Sequence, residues 1–306
     1  MSGVTGSSRR PEQQNCNRAE MLRRLVCSDC TLSFLIEAHD GISAAIATRA
    51  GFEGIWASGL SIASALGYRD ANEASWTQVV DVVERIVDTG DRPVLVDGDS
   101  GFGNFNNARL LARKLHQRGA AGVALQDSRF PKMNSLVGDR HLLADVSEFS
   151  GRLRAVKDAV AEELVLVARV EALIANQPME EALLRANAYA DAGADAILIH
   201  SRKNTADEIL SFAKKWDNRL SLVIVPTRYH STPNSKFRDA RIAAVIWANQ
   251  PLRASIAAMR SVCERIVADE GVVGVEPQIA PLEEIFELLE YSELANAEAR
   301  YLPGPT

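Results

Sequence analysis

The stretch VLVDGDSGFGNFNN, residues 94–107, runs three apolar residues into Asp97 and Asp99 and then into a glycine-rich turn. Carboxylates pushed out of the end of an apolar run need a partner, because buried like charges repel and raise one another's pKa values. Polar residues also end the other apolar runs. They are Glu37, His39 and Asp40; Trp56, Ser58 and Gly59, followed by Asp70 and Glu73; Gln126 and Asp127; Arg169 and Glu171; His200 and Ser201; Thr227 and Arg228; and Asn249. Any one of these is ordinary, since strand ends meet solvent. The grouping of Asp97, Asp99 and Asp70 with Arg169 and His200 is not. A hard divalent cation resolves the repulsion, and oxygen ligands with few histidines point to Mg2+ or Mn2+ rather than zinc. On a strand of period two, Asp97 and Asp99 share a face, one meeting the metal directly and one through water. Arg169 and His200 then read as a clamp for carboxylate or phosphoryl oxygens, with a structural salt bridge as the competing reading of the arginine. The substrate implied is small, anionic and metal-chelating, such as a 2-oxo acid bearing a phosphoryl group.

The elements that must position these residues are short, continuous apolar runs at 31–39, 52–58, 93–99, 121–127, 164–172, 195–200, 220–226 and 243–249. Continuous rather than alternating apolarity is the mark of strands covered on both faces. Between them lie amphipathic stretches such as NNARLLARKLHQRG, which repeats apolar residues every three or four positions and stops at Gly119, and MEEALLRANAYADAGA, which ends near Gly193. Eight strand-and-helix units in this length are the arithmetic of an α/β fold, a (β/α)8 TIM-like barrel, whose active sites form where strands end. An open doubly wound sheet is the alternative, but HDGISAA after the first run is not a dinucleotide fingerprint. The expected organisation is a polar tail and leading helix over 1–30, the barrel over 31–275 and a helical extension over 276–306. A long polar loop at 127–149 stands where a lid would sit.

Composition narrows the function classes. The 306 residues are 47% hydrophobic with a net charge of −6, which gives no general attraction to nucleic acid or an anionic membrane. No apolar run approaches a membrane span, the opening MSGVTGSSRRPEQQNCN reads as a frayed tail rather than a signal peptide, and four sparse cysteines suit a reducing cytoplasm. CSDC (27–30) has C-x-x-C spacing, but no second pair or histidine cluster completes a zinc site.

The motifs GIWASGLS (54–61), RDANEASWTQVV (69–80), DGDSGFGNFNNAR (97–109), FPKMNSL (130–136), ARVEALIA (168–175), ADAILIHS (194–201) and VIVPTRY (223–229) strongly resemble the phosphoenolpyruvate mutase family of the isocitrate lyase superfamily. The resemblance runs from about residue 31 to 302. It implies an (α/β)8 barrel whose C-terminal helix is swapped between subunits of a homodimer or homotetramer. It also implies an isomerase that interconverts phosphoenolpyruvate and 3-phosphonopyruvate with Mg2+, Mn2+ and Co2+ being possible substitutes. Such an enzyme opens phosphonate biosynthesis, with a phosphonopyruvate decarboxylase or another draining enzyme as pathway partner. By the resemblance, Asp97 ligates the metal, Asp99 supports it through water, and Gln126 stands where the family serves the metal's water shell. Asp70 lies near the transferred phosphoryl group, which Arg169 and His200 contact. Trp56, Ser58, Gly59 and Leu60 hold the substrate, and Lys132, Asn134 and Ser135 belong to a gating loop.

The same resemblance separates close relatives. Phosphonopyruvate hydrolases carry threonine where Asn134 stands, so KMNSL favours the mutase, and isocitrate-type lyases use a lid cysteine that this chain lacks, Cys263 lying in a late helix. Two departures stand out: Gln126 replaces a glutamate, removing one negative charge near the metal, and Gly98 replaces an alanine. Besides mutase, a hydrolase giving pyruvate and phosphate and an impaired barrel that only binds a 2-oxo acid remain as alternatives.

Overall fold

In the structure, a computed structural model describing residues 11–28, 31–138 and 141–302, the apolar runs become eight parallel strands. They are β1 (Ser33–Ala38), β2 (Gly54–Ala57), β3 (Val94–Asp97), β4 (Gly122–Gln126), β5 (Val165–Val170), β6 (Ala196–Ile199), β7 (Leu222–Ile224) and β8 (Ile242–Trp247). They pair in sequential order and β8 closes on β1, which rules out the open sheet. Alternate strand residues face two environments. Leu35, Leu95, Ala124, Val167, Leu198, Val223 and Ile246 fill the barrel, while Ile36, Val96, Val123 and Ala168 pack outward against helices. Both faces being apolar, the runs had no reason to alternate.

The helices are α1 (Pro11–Val26), α2 (Gly41–Arg49), α3 (Gly59–Ala65), α4 (Trp76–Asp88), α5 (Phe105–Gln117), α6 (Val146–Val160), α7 (Met179–Asp191), α8 (Asp207–Trp216) and α9 (Asn234–Asp239). The part of the expected frayed tail from Pro11 onward is thus helical, because α1 has a surface to cover. Leu22 and Val26 join the interior apolar cluster, closing the barrel floor at the start of β4, opposite the carboxylates. Capping starts several helices where the sequence changes character. Ser75 and Gln78 form a capping box on α4, as do Asn104 and Asn107 on α5 and Asp40 and Ser43 on α2.

Gly98 follows β3 directly, and its backbone is pressed against β4. A Cβ there would lie 2.6 Å from Val123 Cγ2, 2.8 Å from Leu125 Cδ2 and 3.1 Å from the Ala124 carbonyl oxygen. Gly98→Ala is expected to destabilise the fold by about 1–3 kcal/mol, the usual cost of overpacking, seen as a lower urea midpoint at constant slope. An unchanged midpoint would show that β4 yields freely.

Residues 1–249 form one compact unit and 250–306 a second. The second contains α10 (Gln250–Asp269), α11 (Leu282–Leu288) and α12 (Tyr291–Tyr301). Within it Phe286 and Tyr291 meet at 5.1 Å between ring centres, but Val267, Val273, Leu282 and Leu289 stay exposed. No helix among the described residues is long and apolar enough to cross a membrane. Of the C-x-x-C pair, Cys27 is half-buried with its thiol 3.5 Å from the Asp195 carbonyl, and Cys30 lies outside the described residues.

Candidate active site

At the C-terminal mouth of the barrel a cavity of about 60 Å³ is lined by Trp56, Ser58, Leu60, Asp70, Asp97, Gln126, Lys132, Asn134, Ser135, Arg169 and His200. Leu136, Val225, Thr227, Ala248 and Asn249 complete the wall. Eleven of the thirteen expected site residues therefore meet in one place. The other two are Gly59 and Asp99, and both border it. A Cβ on Gly59 would lie 3.2 Å from Asp97 Oδ2 and 3.3 Å from Asp99 Oδ1, so both carboxylates flank this backbone.

The route by which Asp97 and Asp99 converge differs from strand alternation. β3 ends at Asp97, and Asp99 sits in a left-handed turn with φ of 50°. There its backbone N–H donates to Asp97 Oδ1 at 3.2 Å and its carbonyl accepts from the Gln126 N–H at 2.8 Å. The turn, not the pleat, aims the second carboxylate at the mouth.

The lid supplies part of the compensation that the sequence assigned wholly to a metal. The loop after β4 rises from a stem pinned by a bridge between Ser128 and Leu143, and its Lys132, Asn134, Ser135 and Leu136 line the mouth. Lys132 Nζ lies 2.7 Å from Asp70 Oδ1 and is in ion-pair contact with Asp99 Oδ1. Asn134 Nδ2 donates to Asp70 Oδ2 at 2.6 Å. Burial works against the Lys132 charge, yet Asp99 and Asp70 outweigh it and raise its pKa. Burial likewise opposes ionised Asp70, but Lys132, Asn134 and Arg169 bring its pKa below the usual value. Asp99 fares worse. Burial pushes it up to about 7, with Asp97 and Asp70 adding repulsion that Lys132 only partly offsets. One ammonium does not balance three carboxylates.

Opposite the carboxylates, Arg169 lines the cavity from the end of β5. Its Nε bonds Glu171 Oε1, its Nη2 donates to Ser135 Oγ at 3.0 Å and lies 2.9 Å from His200 Nδ1, and its Nη1 is 3.9 Å from Asp97 Oδ2. Glu171 is fully buried. Although burial opposes its charge, Arg169 and His200 hold its pKa well below the ordinary carboxylate range. His200 Nδ1 also lies 3.1 Å from Glu171 Oε1, so its tautomer decides whether it accepts from Arg169 or donates to Glu171. Burial and Arg169 lower its pKa, which keeps it neutral at pH 7. His141 Nε2 stands 3.2 Å from Glu171 Oε2, and Ser135 Oγ donates to the same oxygen at 2.9 Å. Arg169 thus makes the structural salt bridge that the sequence left as its competing reading, while also lining the cavity.

Several polar strand ends serve structure instead. Asp127 turns away from the mouth, accepting from the Glu171 N–H at 2.8 Å, Arg185 at 3.1 Å and the Tyr189 hydroxyl at 2.7 Å. Glu73 pairs with Arg69, Asp40 caps α2, His39 meets Glu37 at 2.6 Å, and Ser201 donates to Glu208 at 2.5 Å. Sequence reading missed Asn72, His141 and Leu136, and it saw Glu171, Thr227 and Asn249 only as strand ends. Asn72 stood inside the RDANEASW motif, so a signal existed. His141 stood in the polar loop after β4 with no motif to mark it.

The donors fit a hard divalent cation. Asp97, Asp99 and the Gln126 amide offer only oxygens, since Gln126 Nε2 is committed to Ser128 Oγ at 2.6 Å. The described residues form no preassembled cage of three or more His, Cys, Asp or Glu. Mg2+ does not require one, because it is commonly held by one or two carboxylates with water and substrate completing the shell.

A family profile described as phosphoenolpyruvate phosphomutase matches residues 22–267. The chain belongs to the phosphoenolpyruvate phosphomutase family. A curated phosphoenolpyruvate phosphomutase from Tetrahymena pyriformis is 51% identical over 273 residues, 89% of this chain and 91% of that one. Phosphonopyruvate hydrolase from Variovorax sp. is 39% identical over 268 residues, 87% of this chain and 92% of that one. The crystal structure of a phosphoenolpyruvate phosphomutase from Streptomyces platensis subsp. rosaceus superposes with a TM-score of 0.90 at 38% identity, covering 93% of this chain and 99% of that one. A phosphonopyruvate hydrolase in complex with oxalate and Mg++ superposes at 0.87 and 36% identity, covering 94% and 99%. At this mouth Gln126 lines the cavity without carrying a charge, its Nε2 donating to Ser128 Oγ.

Proposed function

We propose that this mouth interconverts phosphoenolpyruvate and 3-phosphonopyruvate, forming or breaking the P–C bond by isomerisation. The observation that carries the reading is the lid seated on the site, with Lys132 and Asn134 on Asp70 and Ser135 on Arg169 and Glu171. Isomerisation breaks the bond from phosphorus to C3 of phosphonopyruvate and leaves the electron pair in pyruvate enolate. The enolate oxygen then takes the same phosphoryl group, so no proton or water enters the balance. Water is the competitor, because a loose, metaphosphate-like group hydrolyses readily. A lid that seals therefore favours isomerisation over hydrolysis.

In this reading Asp97 would hold Mg2+, with Asp99 and Gln126 supporting it through water, and the ion would supply Lewis-acid stabilisation of enolate charge. Trp56 and Leu60 form an apolar wall against the three-carbon unit, and Gly59 and Leu60, at the start of α3 beside the cavity-lining Ser58, offer backbone N–H groups to the carboxylate. Arg169, neutral His200 and Asn134 grip phosphoryl oxygens in both positions. Asp70, tied down by Lys132 and Asn134, keeps the phosphoryl group on its short path and is too engaged to act as a nucleophile. The metal and these roles are supported by the donor chemistry of the site and by the hydrolase relative's complex with oxalate and Mg++.

The chain is further proposed to act in the cytoplasm as a homodimer or tetramer that exchanges its C-terminal helices. Support comes from the exposed Val267, Leu282, Phe286 and Leu289 of the second unit. An enzyme that drains phosphonopyruvate, such as a decarboxylase, would be its pathway partner.

Phosphorus NMR of the protein with phosphonopyruvate and Mg2+ tests the activity. Phosphoenolpyruvate as the main product is expected. Phosphate as the main product would establish the hydrolase reading, and no turnover would leave a binding barrel. Gln126→Glu restores a charge beside the metal's water shell and is expected to lower the Mg2+ concentration for half-maximal rate by about tenfold. Unchanged Mg2+ dependence and turnover would show the substitution to be neutral.

A further inference from the structure

Asn72 lies on neither side of the proposed chemistry, yet its side chain joins them. In the loop after β2 it adopts a left-handed backbone with φ of 56°. Its Nδ2 donates to Asp99 Oδ2 at 2.6 Å, and its Oδ1 accepts from the Lys132 backbone N–H at 2.6 Å. One amide thus uses a donor on the metal side and an acceptor on the lid side. Asparagine suits this task twice over. It tolerates the left-handed region better than most residues, and aspartate, with no hydrogen to give, could not make the bond to Asp99.

We propose that Asn72 is a positioning residue, a latch through which the closed lid is held against Asp99, so that sealing of the cavity depends on the carboxylate beneath it. The inference rests on the mutase reading of the site and adds to it the device that keeps water out. Asn134 and Ser135 also hold the lid down, but through Asp70, Arg169 and Glu171, groups that the substrate itself would engage. Arg202 holds its far end through the carbonyls of Ser135 and Gly138, both at 3.0 Å. Lys132 also reaches Asp99 directly, through its side-chain ammonium, and Asn72 adds to that ion pair a link from the Lys132 backbone to the same carboxylate. Bond changes in the isomerisation are unaffected by Asn72. What it changes is whether the migrating phosphoryl group meets the enolate oxygen or water.

Asn72→Gly retains the left-handed turn and removes the latch. Asn72→Asp retains the turn and the acceptor for Lys132 but sets a carboxylate against Asp99. Both are compared with the wild type after thermal melting confirms folding, and if one variant fails to fold the other carries the test. The readouts are the ratio of phosphate to phosphoenolpyruvate formed from phosphonopyruvate, followed by phosphorus NMR, and amide hydrogen exchange over 130–137 with oxalate and Mg2+ present. At least a tenfold rise in the phosphate ratio together with at least tenfold faster lid exchange is expected. A ratio unchanged within twofold overturns the proposal, even if exchange accelerates, since the contact would then be structural only. If the wild type does not form phosphoenolpyruvate, the mutase reading fails by itself. Lid exchange alone then judges the latch, acceleration supporting it and no change overturning it.

Discussion

Asp97→Asn is expected to cost at least about a thousandfold in kcat while leaving the fold intact or more stable. The substitution keeps the shape of the side chain and removes the charge that, in this account, anchors the cation. Loss of Lewis-acid stabilisation at a developing enolate amounts to several kcal/mol of barrier, and each 1.4 kcal/mol is about tenfold in rate. The stability side runs the other way. Asp97 adds repulsion to Asp99, which burial already pushes up to about 7, and its nearest cation, Arg169, is 3.9 Å away and committed to Glu171. Removing one of three crowded carboxylates relieves that repulsion. Turnover by phosphorus NMR and a thermal melt on the same sample check both halves. A variant of near-normal activity, or one that melts well below the wild type, would show that Asp97 is structural.

Arg169→Met should damage both function and fold. The guanidinium reaches Glu171, Ser135 and the edge of the His200 ring from one position, and no shorter or flexible cation reproduces that fork. Activity is expected to fall by at least about a thousandfold. Stability is expected to fall by about 3–5 kcal/mol, because Glu171 would be left fully buried without its main counter-charge. The loss should depend on pH. In the wild type His200 is held below its usual pKa by burial and by Arg169. Without that cation burial still opposes its protonation while Glu171 still favours it, so its depression is expected to shrink. A depressed histidine costs native stability as pH falls, and a smaller depression costs less, which favours the variant relative to the wild type at low pH. The variant should therefore be least impaired near about pH 5.5 and most impaired near about pH 8.5. Urea melts at the two values check this; an equal loss at both would mean that Glu171 is compensated by something other than histidine.

The barrel was legible because its strands are buried on both faces, so composition and length identified all eight runs without periodicity. Their ends were less so. Strand 3 stops at Asp97, two residues before the apolar pattern and the carboxylates imply, because Asp99 takes a left-handed turn that no hydrophobic pattern records. The site residues were found mostly by motif and by their place at strand ends, a rule that cannot tell which way a side chain turns. Asp127 has the sequence position of a mouth residue but serves Arg185 and Tyr189 on α7. Asp40 likewise serves a helix cap. Charge counting called for a cation among the carboxylates, and a cation from the chain itself, Lys132, provides part of it. That lysine lies more than thirty residues from Asp97 in a polar loop, and its reach into the site is a property of how the lid folds back. Asn72 stood in a motif, but the motif did not assign it a role, since its partners are a backbone N–H and a buried oxygen that have no sequence signature.

The measurement that bears most directly on the account is a crystal structure of the protein soaked with Mg2+ and oxalate. A metal ion bound to an Asp97 oxygen at about 2.1 Å, the distance Mg2+ prefers, is expected. Oxalate should complete its shell beside Arg169, and Lys132 should remain on Asp70. Oxalate bound without any metal, with Asp97 drawn onto Arg169 and Asp99 neutralised by Lys132 alone, would contradict it.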